Sequence, residues 1–139
     1  MDNSRSPKIK IITVEDSHLV VERMQTMLAE VTYVEFMGNA ENISSALNLI
    51  NIHQPDVAIL DICLEKEKGK ANGINLLIEL RQSYRNLIII MFTNLVASQY
   101  RNACLTLGAD YFFDKSNDFE KIPEVMKEVF QVKRNKQLE

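Results

Sequence analysis

The sequence lacks the features that mark membrane, secreted and nucleic-acid-binding proteins. No apolar run approaches the roughly 20 residues of a membrane-spanning helix, and the N-terminus has no hydrophobic signal core. The formal net charge of -3 leaves no basic excess for binding a phosphate backbone. We therefore expect a cytoplasmic protein that binds neither membranes nor nucleic acid directly.

Cysteine is scarce, and neither cysteine nor histidine has the spacing of a metal or redox motif. Cys63 and Cys104 form no CxxC pair, which in a chain without a signal peptide predicts thiols in a reducing compartment. His18 and His53 lie far apart in the sequence, and we predict that both are helix-surface residues. A disulfide framework and a zinc site are therefore not expected.

The sequence does contain a regular alternation of strand-like and helix-like segments, with no linker rich in proline, glycine or serine. Its 139 residues and 46% hydrophobic content predict one domain, 1–139, with its core at 9–132 and flexible ends at 1–8 and 133–139. Short apolar runs predict five strands, at 9–14, 33–37, 57–60, 87–92 and 111–113.

Apolar residues at helical spacing follow each predicted strand. Gly38 is expected to close the second strand, Ser17 to cap the first helix and Gly108 to end the fourth. Residues 65–73 are interpreted as a solvated loop, and a polar tail is predicted from Gln131. The predicted apolar faces include Leu19, Val20, Met24, Met27 and Leu28 in the first helix, and Val96, Tyr100, Ala103, Cys104 and Leu107 in the fourth.

Strict alternation of strands and helices predicts an α/β fold with a parallel sheet covered by helices on both faces. Because crossovers are right-handed and strands 1, 3 and 4 are the most apolar, we predict a doubly wound, flavodoxin-like (βα)5 sheet of order 2-1-3-4-5. In such a sheet the ligand site lies beyond the carboxyl ends of the strands, beside strand 1.

Polar residues of a particular kind occur at these strand ends. Glu15 and Asp16 follow strand 1, Asp61 follows strand 3, Thr93 follows strand 4, and Lys115 lies just beyond strand 5. Three carboxylates brought to one edge repel each other unless they bind a cation or one is protonated. Carboxylate oxygens and an open position favour Mg²⁺, with Mn²⁺ as an alternative.

A hydroxyl and an ammonium group extend this metal site to a phosphoryl-transfer site. Thr93 and Lys115 suit the oxygens of a transferred phosphoryl group, and Asp61, at the end of the central strand, is the natural acceptor. Each residue alone also fits an ordinary role: Asp16 as a helix cap, Asp61 as a turn former, Lys115 as a surface lysine. Their occurrence together favours phosphoryl transfer.

Four motifs at the strand ends carry a family resemblance: Val14-Glu15-Asp16-Ser17, the strand 56–61, Phe92-Thr93-Asn94 and the segment 108–115. With these motifs the chain resembles, over residues 9–132, the receiver domain of bacterial two-component response regulators, of the stand-alone type. The resemblance implies that Asp61 is the phosphoacceptor, Asp16 the direct Mg²⁺ ligand and Glu15 its water-mediated partner. The main-chain carbonyl of Cys63 is expected to complete the metal shell.

The resemblance also implies how the domain switches. Thr93 is the implied switch hydroxyl and Lys115 the cation that pairs with the phosphoryl group, so both assist Asp61 in the chemistry. Phe112, rather than Tyr111, occupies the aromatic switch position. The readout surface is expected on helix 4, strand 5 and helix 5, where the exposed residues are predicted to include Gln99, Arg101, Asn102 and Tyr111.

The sequence departs from the family pattern at several positions. Glu15 replaces a commoner aspartate, Asn94 a commoner alanine, and Ser116 a proline that follows a cis peptide, so we expect a trans bond there. Cys63 and Leu95 occupy the positions that tune dephosphorylation in the family. The loop after Asp61 is longer than usual, which bears on access of a kinase to the acceptor.

The resemblance implies a signalling domain that catalyses its own phosphorylation and dephosphorylation, and not a classical enzyme. Its expected partners are a sensor histidine kinase or a histidine phosphotransfer protein and an unknown downstream protein, with the chain a monomer or a phosphorylation-dependent dimer. Two alternatives stay open: a degenerate receiver used only for docking or dimerisation, and an aspartyl-phosphate phosphatase of the haloacid-dehalogenase type, which requires an aspartate where Cys63 stands. Output through an effector domain outside this sequence also stays open.

Overall fold

The computed structural model describes residues 8–64 and 72–138. Within these ranges strands and helices alternate as predicted, and no helix there is long and apolar enough to cross a membrane. The elements are β1 Ile9–Val14, α1 His18–Ala29, β2 Val34–Ala40, α2 Ile43–His53, β3 Val57–Leu60, α3 Asn72–Ser83, β4 Ile88–Thr93, α4 Ser98–Thr106, β5 Tyr111–Asp114 and α5 Lys121–Leu138.

The strands form one parallel sheet in the order β2-β1-β3-β4-β5, which confirms the predicted flavodoxin-like topology. β3 is buried along its whole length, and β1 and β4 are nearly so, as expected for central strands covered on both faces. β2 and β5 form the edges. The order places the carboxyl ends of β1, β3, β4 and β5 along one side of the sheet.

Two hydrophobic layers cover the faces of the sheet, because successive strand residues point to opposite sides. Ile12 and Val14 of β1 face one layer, which is completed by α2, α3 and α4; Ile9 and Ile11 face the other, which is completed by α1 and α5. The helix residues buried in the first layer include Ala46, Ile50, Leu76, Leu77, Leu80 and Cys104, and those in the second include Met24, Leu28, Ile122, Val125 and Met126.

The edge strand β2 is longer than predicted and contains a β-bulge. Ile11 pairs with Phe36 but Ile12 pairs with Gly38, so one residue of β2 is extra in the ladder. Gly38 has a φ of 148°, a conformation that strongly favours glycine. The prediction that Gly38 closes the strand was therefore wrong, because a glycine within a strand can form a bulge and let pairing continue.

Parts of two predicted helix faces are exposed. Leu19 in α1 is 79% exposed, and Val96 and Leu107, on either side of α4, are 47% and 36% exposed. Helical spacing identifies an apolar stripe, but it does not identify which turns a neighbouring element covers. The predicted caps agree with the structure: Ser17 accepts a hydrogen bond from the main chain of Val20, and Gly108 follows α4 with a positive φ.

Two predicted boundaries were wrong. Residues 65–71 of the predicted loop lie outside the described residues, but residues 72 and 73 are helical and begin α3. At this helix start Asn72 Oδ1 accepts a hydrogen bond from Leu64 N, and Gly73 N donates to Ile62 O. The polar tail predicted from Gln131 is helical, because α5 continues to Leu138 through residues with good helix propensity. The core limits and the flexibility of the two ends stay predictions.

Arg81, at the end of α3, holds the segments that lead into β4 and β5. Its guanidinium donates to Gly108 O at 2.8 and 2.9 Å and to Leu87 O at 2.8 Å, and it pairs with Asp110 at 2.9 Å. Asp110 in turn accepts from the main chain of Ile89 at 2.8 Å. One side chain therefore sets the start of the strand that leads to Lys115.

We expect Arg81→Lys to lower the free energy of unfolding by about 2 kcal/mol, because an ammonium cannot reproduce the planar set of donors and leaves partly buried carbonyls unpaired. Urea denaturation measures this change. The exposed Arg85 supplies the matched control, and Arg85→Lys is expected to change stability by less than about 0.5 kcal/mol. Equal effects of the two substitutions would contradict the proposed role of the guanidinium.

Candidate functional site

The fold brings the polar strand-end residues to one edge of the sheet. Glu15 lies just beyond β1, Asp61 beyond β3 and Lys115 beyond β5, whereas Thr93 is the last residue of β4. Glu15, Asp61, Thr93 and Lys115 are all buried, at 4%, 4%, 1% and 9% exposure. Buried polar residues clustered at the ends of parallel strands are typical of a ligand site in such folds.

Lys115 forms the centre of this cluster. Its Nζ lies 2.7 Å from Glu15 Oε1 and 2.8 Å from Asp61 Oδ2, so one ammonium group bridges two carboxylates. The second oxygen of each carboxylate is also bonded: Glu15 Oε2 accepts from Ser17 N at 3.0 Å, and Asp61 Oδ1 accepts from Cys63 N at 3.2 Å. These contacts hold both carboxylates in defined orientations.

Asp16 completes an acidic cluster that could hold a metal ion. Carboxylate oxygens of Glu15, Asp16 and Asp61 lie within 4.8 Å of one another. Asp16 Oδ1 is buried, and within the described residues no donor bonds to it. A buried carboxylate oxygen without a donor is costly unless a cation or water satisfies it. The donor set is therefore the one that a hard cation such as Mg²⁺ prefers.

The pKa shifts of Glu15 and Lys115 are also those expected in a buried cluster of charged groups that could hold a cation. Burial raises the pKa of the Glu15 carboxyl, an effect that Lys115 opposes and the charge of Asp61 reinforces. Burial lowers the pKa of Lys115, but hydrogen bonds and charge interactions with Asp61 and Glu15 outweigh it and leave the pKa above its ordinary value. Lys115 is therefore charged at neutral pH. The cluster has one ammonium group for three carboxyl groups, a composition that favours binding of a further cation.

Thr93 and Phe112 occupy positions that link the site to α4. Thr93 Oγ1 accepts from Leu95 N at 3.2 Å, and Thr93 O accepts from Lys115 N at 3.0 Å. Phe112 is buried at 5% exposure in the layer that contains α4, and the guanidinium of Arg101 donates to its carbonyl oxygen at 3.3 Å. These contacts connect the end of β4 to β5 and β5 to α4.

Tyr111 points to the other side of β5. It packs against the layer formed with α5, and its hydroxyl donates to Glu128 Oε1 at 3.1 Å. Burial, followed by the contact with Glu128, raises the pKa of the Tyr111 phenol. Gln99, Arg101 and Asn102 are exposed on α4 as predicted, whereas Tyr111, also predicted to be exposed, is half-buried. Of the two adjacent aromatic residues, Phe112 is therefore the one packed beneath α4.

Two residues near the site had no assigned role in the sequence. A Cβ on Gly73 would lie 2.0 Å from Asp61 O, so only glycine allows α3 to approach the acceptor loop this closely. Asn39, on β2, donates to the main-chain oxygen of Glu15. A glycine next to the start of an apolar helical segment could have suggested the close approach of Gly73 to Asp61. No local pattern indicates the hydrogen bond from Asn39 to Glu15.

Comparison with known families identifies the domain. The family model described as "Response regulator receiver domain" matches residues 11–127. The chain belongs to the response regulator receiver domain family. It is accordingly a signalling module of two-component systems. Receiver domains bind Mg²⁺ through acidic residues and interact with histidine kinases and downstream effectors.

The chain is similar to parts of curated proteins of several kinds. The chain is 34% identical over 114 residues to a protein-glutamate methylesterase/protein-glutamine glutaminase of Trichodesmium erythraeum (strain IMS101), with 78% of the chain and 30% of that protein covered. It is 27% identical over 124 residues to the transcriptional regulatory protein DegU of Brevibacillus brevis, with 89% and 51% covered. The chain thus spans 30% and 51% of the length of these two relatives.

Solved structures confirm the receiver fold. A two-component response regulator of the LuxR family from Aurantimonas sp. SI85-9A1 superposes with a TM-score of 0.78 at 21% identity, with 89% of this chain and 86% of that chain covered. The receiver domain of Francisella response regulator 1452 also superposes with a TM-score of 0.78 at 21% identity, with 91% and 99% covered. At this identity the similarity supports the fold alone.

Proposed function

We propose that this receiver domain takes a phosphoryl group onto Asp61 from the phosphohistidine of a sensor histidine kinase or a histidine phosphotransfer protein in the cytoplasm. Phosphorylation then changes the surface formed by α4, β5 and α5, which binds a downstream protein. The observation that carries the proposal is the pairing of Asp61 with Lys115 at 2.8 Å beside an acidic pair in which one buried oxygen of Asp16 has no donor among the described residues.

The proposed metal is Mg²⁺, with Mn²⁺ as an alternative. Asp16 and Asp61 would bind it directly, Glu15 through a water molecule, and the main-chain carbonyl of Cys63 would complete the set. The close approach of the three carboxylates and the unsatisfied oxygen of Asp16 support this assignment. When bound, the cation supplies positive charge opposite the phosphoryl oxygens.

Several residues of the chain have separate roles in the transfer of the phosphoryl group. An oxygen of Asp61 forms a bond to phosphorus while the bond from phosphorus to the imidazole nitrogen of the donor breaks, so the acceptor must be ionised and oriented. Cys63 N orients one Asp61 oxygen, and Lys115 holds the other. Lys115 then pairs with the charge on the phosphoryl oxygens, and Thr93 donates its hydroxyl to one of them.

The same bonds explain the proposed switch. A phosphoryl oxygen offers Thr93 an acceptor that the unphosphorylated site lacks, which draws the hydroxyl inward. Phe112, packed under α4, can then change its position, and the two packings differ in the surface they present. The contact of Arg101 with the Phe112 carbonyl supports a direct link from β5 to α4. A change from monomer to dimer on phosphorylation stays a prediction.

Incubation with Mg²⁺ and a small acyl phosphate tests the proposal. The wild type is expected to gain hydroxylamine-labile phosphate, and Asp61→Asn to reduce it by about a thousandfold or more, since the nucleophile is removed. Asp56→Asn is the matched control, because Asp56 lies at the opposite end of β3 and pairs with Lys133. Wild-type protein that gains no such phosphate would refute the proposal and favour a docking module.

A further inference from the structure

Asn39 of β2 hydrogen-bonds to the segment that carries the acidic cluster. Its Nδ2 donates to Glu15 O at 3.0 Å, and its Oδ1 accepts from the Thr13 hydroxyl at 2.7 Å. Thr13 is a buried polar residue of the central strand β1, at 2% exposure. The phosphoryl chemistry described above uses neither Asn39 nor Thr13.

The partners of the amide determine its orientation. Glu15 O is a carbonyl oxygen and can only accept, so the amide atom that faces it must be the NH₂ group. The amide oxygen then faces Thr13, whose hydroxyl can donate. Both ends of the Asn39 side chain are thereby satisfied in one orientation, which makes it a rigid link between β1 and β2.

The β-bulge brings Asn39 to this position. Beyond the bulge the pairing is displaced by one residue, so Asn39 lies opposite Thr13. A one-residue slip in a strand moves a side chain to the opposite face of the sheet. Gly38, with its positive φ, permits this register. Without the bulge, the Asn39 side chain would lie on the opposite face of the sheet, away from Thr13 and the carbonyl oxygen of Glu15.

Hydrogen bonds therefore fix the main-chain N–H, the main-chain carbonyl and the carboxylate of Glu15. Its N–H donates to Ala40 O at 2.9 Å, its carbonyl oxygen accepts from Asn39, and its carboxylate accepts from Ser17 N. The carbonyl of Glu15 belongs to the peptide that joins it to Asp16. Rotation of that peptide would redirect the Asp16 carboxylate, whose Oδ1 is buried without a donor among the described residues.

We propose that Asn39 is a positioning residue for the metal site: oriented by Thr13 and placed by the bulge at Gly38, it fixes the peptide between Glu15 and Asp16 so that both carboxylates face the cation. This assignment rests on the proposed function, because it concerns the same acidic cluster. Residues that orient metal ligands affect metal affinity without contacting the metal.

Binding of Mn²⁺, measured from the electron paramagnetic resonance signal of the free ion, tests this role without reference to phosphorylation. Asn39→Leu keeps the approximate size of the side chain but removes the donor and the acceptor. We expect it to weaken Mn²⁺ binding by about tenfold. Thr13→Val, which removes only the group that orients the amide, is expected to weaken binding by a smaller factor, and the two effects should not multiply in the double variant.

Ile50→Val is the matched control for loss of stability, because Ile50 is a fully buried apolar residue of α2 and belongs neither to the acidic cluster nor to the hydrogen bonds of Asn39. It is expected to lower stability to urea and to leave Mn²⁺ affinity within twofold of wild type. Asn39→Leu with wild-type affinity, or an equal loss of affinity in Ile50→Val, would overturn the positioning role. Wild-type protein that binds no Mn²⁺ would instead overturn the metal site on which the proposed function depends.

Discussion

Replacement of Lys115 by methionine is expected to lower the free energy of unfolding by about 3 kcal/mol at neutral pH without divalent metal. The ammonium bridges the carboxylates of Glu15 and Asp61, whose side chains are 5% and 4% exposed, so its loss leaves two buried negative charges without their counter-ion. Repulsion between two carboxylates about 4 Å apart is of order 4 kcal/mol at an effective dielectric near 20. Urea denaturation in the presence of a chelator measures the loss.

The loss of stability caused by Lys115→Met should be smaller at lower pH and in the presence of Mg²⁺. The pKa of Glu15 is raised in the folded protein, so the folded state binds more protons than the unfolded state between the ordinary carboxyl pKa and the raised one. Stability carried by Glu15 therefore falls as pH rises through that window, and lowering the pH relieves the variant by protonating the carboxyl. Added Mg²⁺ should also relieve it, because the cation replaces the missing positive charge.

Lys121→Met is the matched control for this substitution. The Lys121 ammonium pairs with Asp118 at 3.2 Å, but its side chain is 56% exposed, so water screens the pair. We expect a change of less than about 1 kcal/mol and no dependence on Mg²⁺. A loss of stability in Lys115→Met that is equally small, or that Mg²⁺ leaves unchanged, would show that the cluster is not held together by charge.

Gly73→Ala is expected to destabilise the domain by about 3 kcal/mol and to disturb the acceptor loop. The added Cβ would lie 2.0 Å from Asp61 O and 2.7 and 2.8 Å from Ile62 Cα and O. All three atoms belong to the main chain, which cannot rotate away as a flexible side chain can. Either α3 moves outward or the chain after β3 shifts, and the second movement displaces Asp61 itself.

Denaturation by urea and phosphorylation by an acyl phosphate together measure the effect of Gly73→Ala. Asn75→Ala in the same helix is the matched control, because Asn75 is exposed and alanine has the higher helix propensity. The control is expected to be neutral or slightly stabilising, with normal phosphorylation. If Gly73→Ala were as stable and as readily phosphorylated as wild type, the close approach of α3 to the acceptor would be required neither for stability nor for phosphorylation.

Much of the fold and of the site could be predicted from the order of the residues. The apolar runs predicted all five strands, and their relative hydrophobicity placed β1, β3 and β4 in the centre of the sheet. The polar residues that follow these runs predicted the edge at which Glu15, Asp61 and Lys115 meet. Both predictions depend on local patterns, since strand burial and strand-end chemistry are visible within a few residues of sequence.

The same kind of local pattern led to the errors. Gly38 was expected to end β2, but pairing with β1 continues past it as a bulge. Leu19 follows the spacing of the apolar face of α1, yet it is 79% exposed. In both cases the outcome depends on whether another element covers or pairs with the residue, and that information lies elsewhere in the chain.

The strand-end residues and the order of the strands thus followed from short-range patterns of hydrophobicity and charge. The arrangement within the site did not: Lys115 pairs with Glu15 as well as Asp61, Gly73 touches the acceptor loop, and Asn39 reaches the carbonyl of Glu15 across the sheet. Each of these contacts joins residues that are distant in sequence. They exist because packing of the helices and the register of β2 on β1 bring those residues together, and a local pattern does not specify which distant residue a side chain contacts.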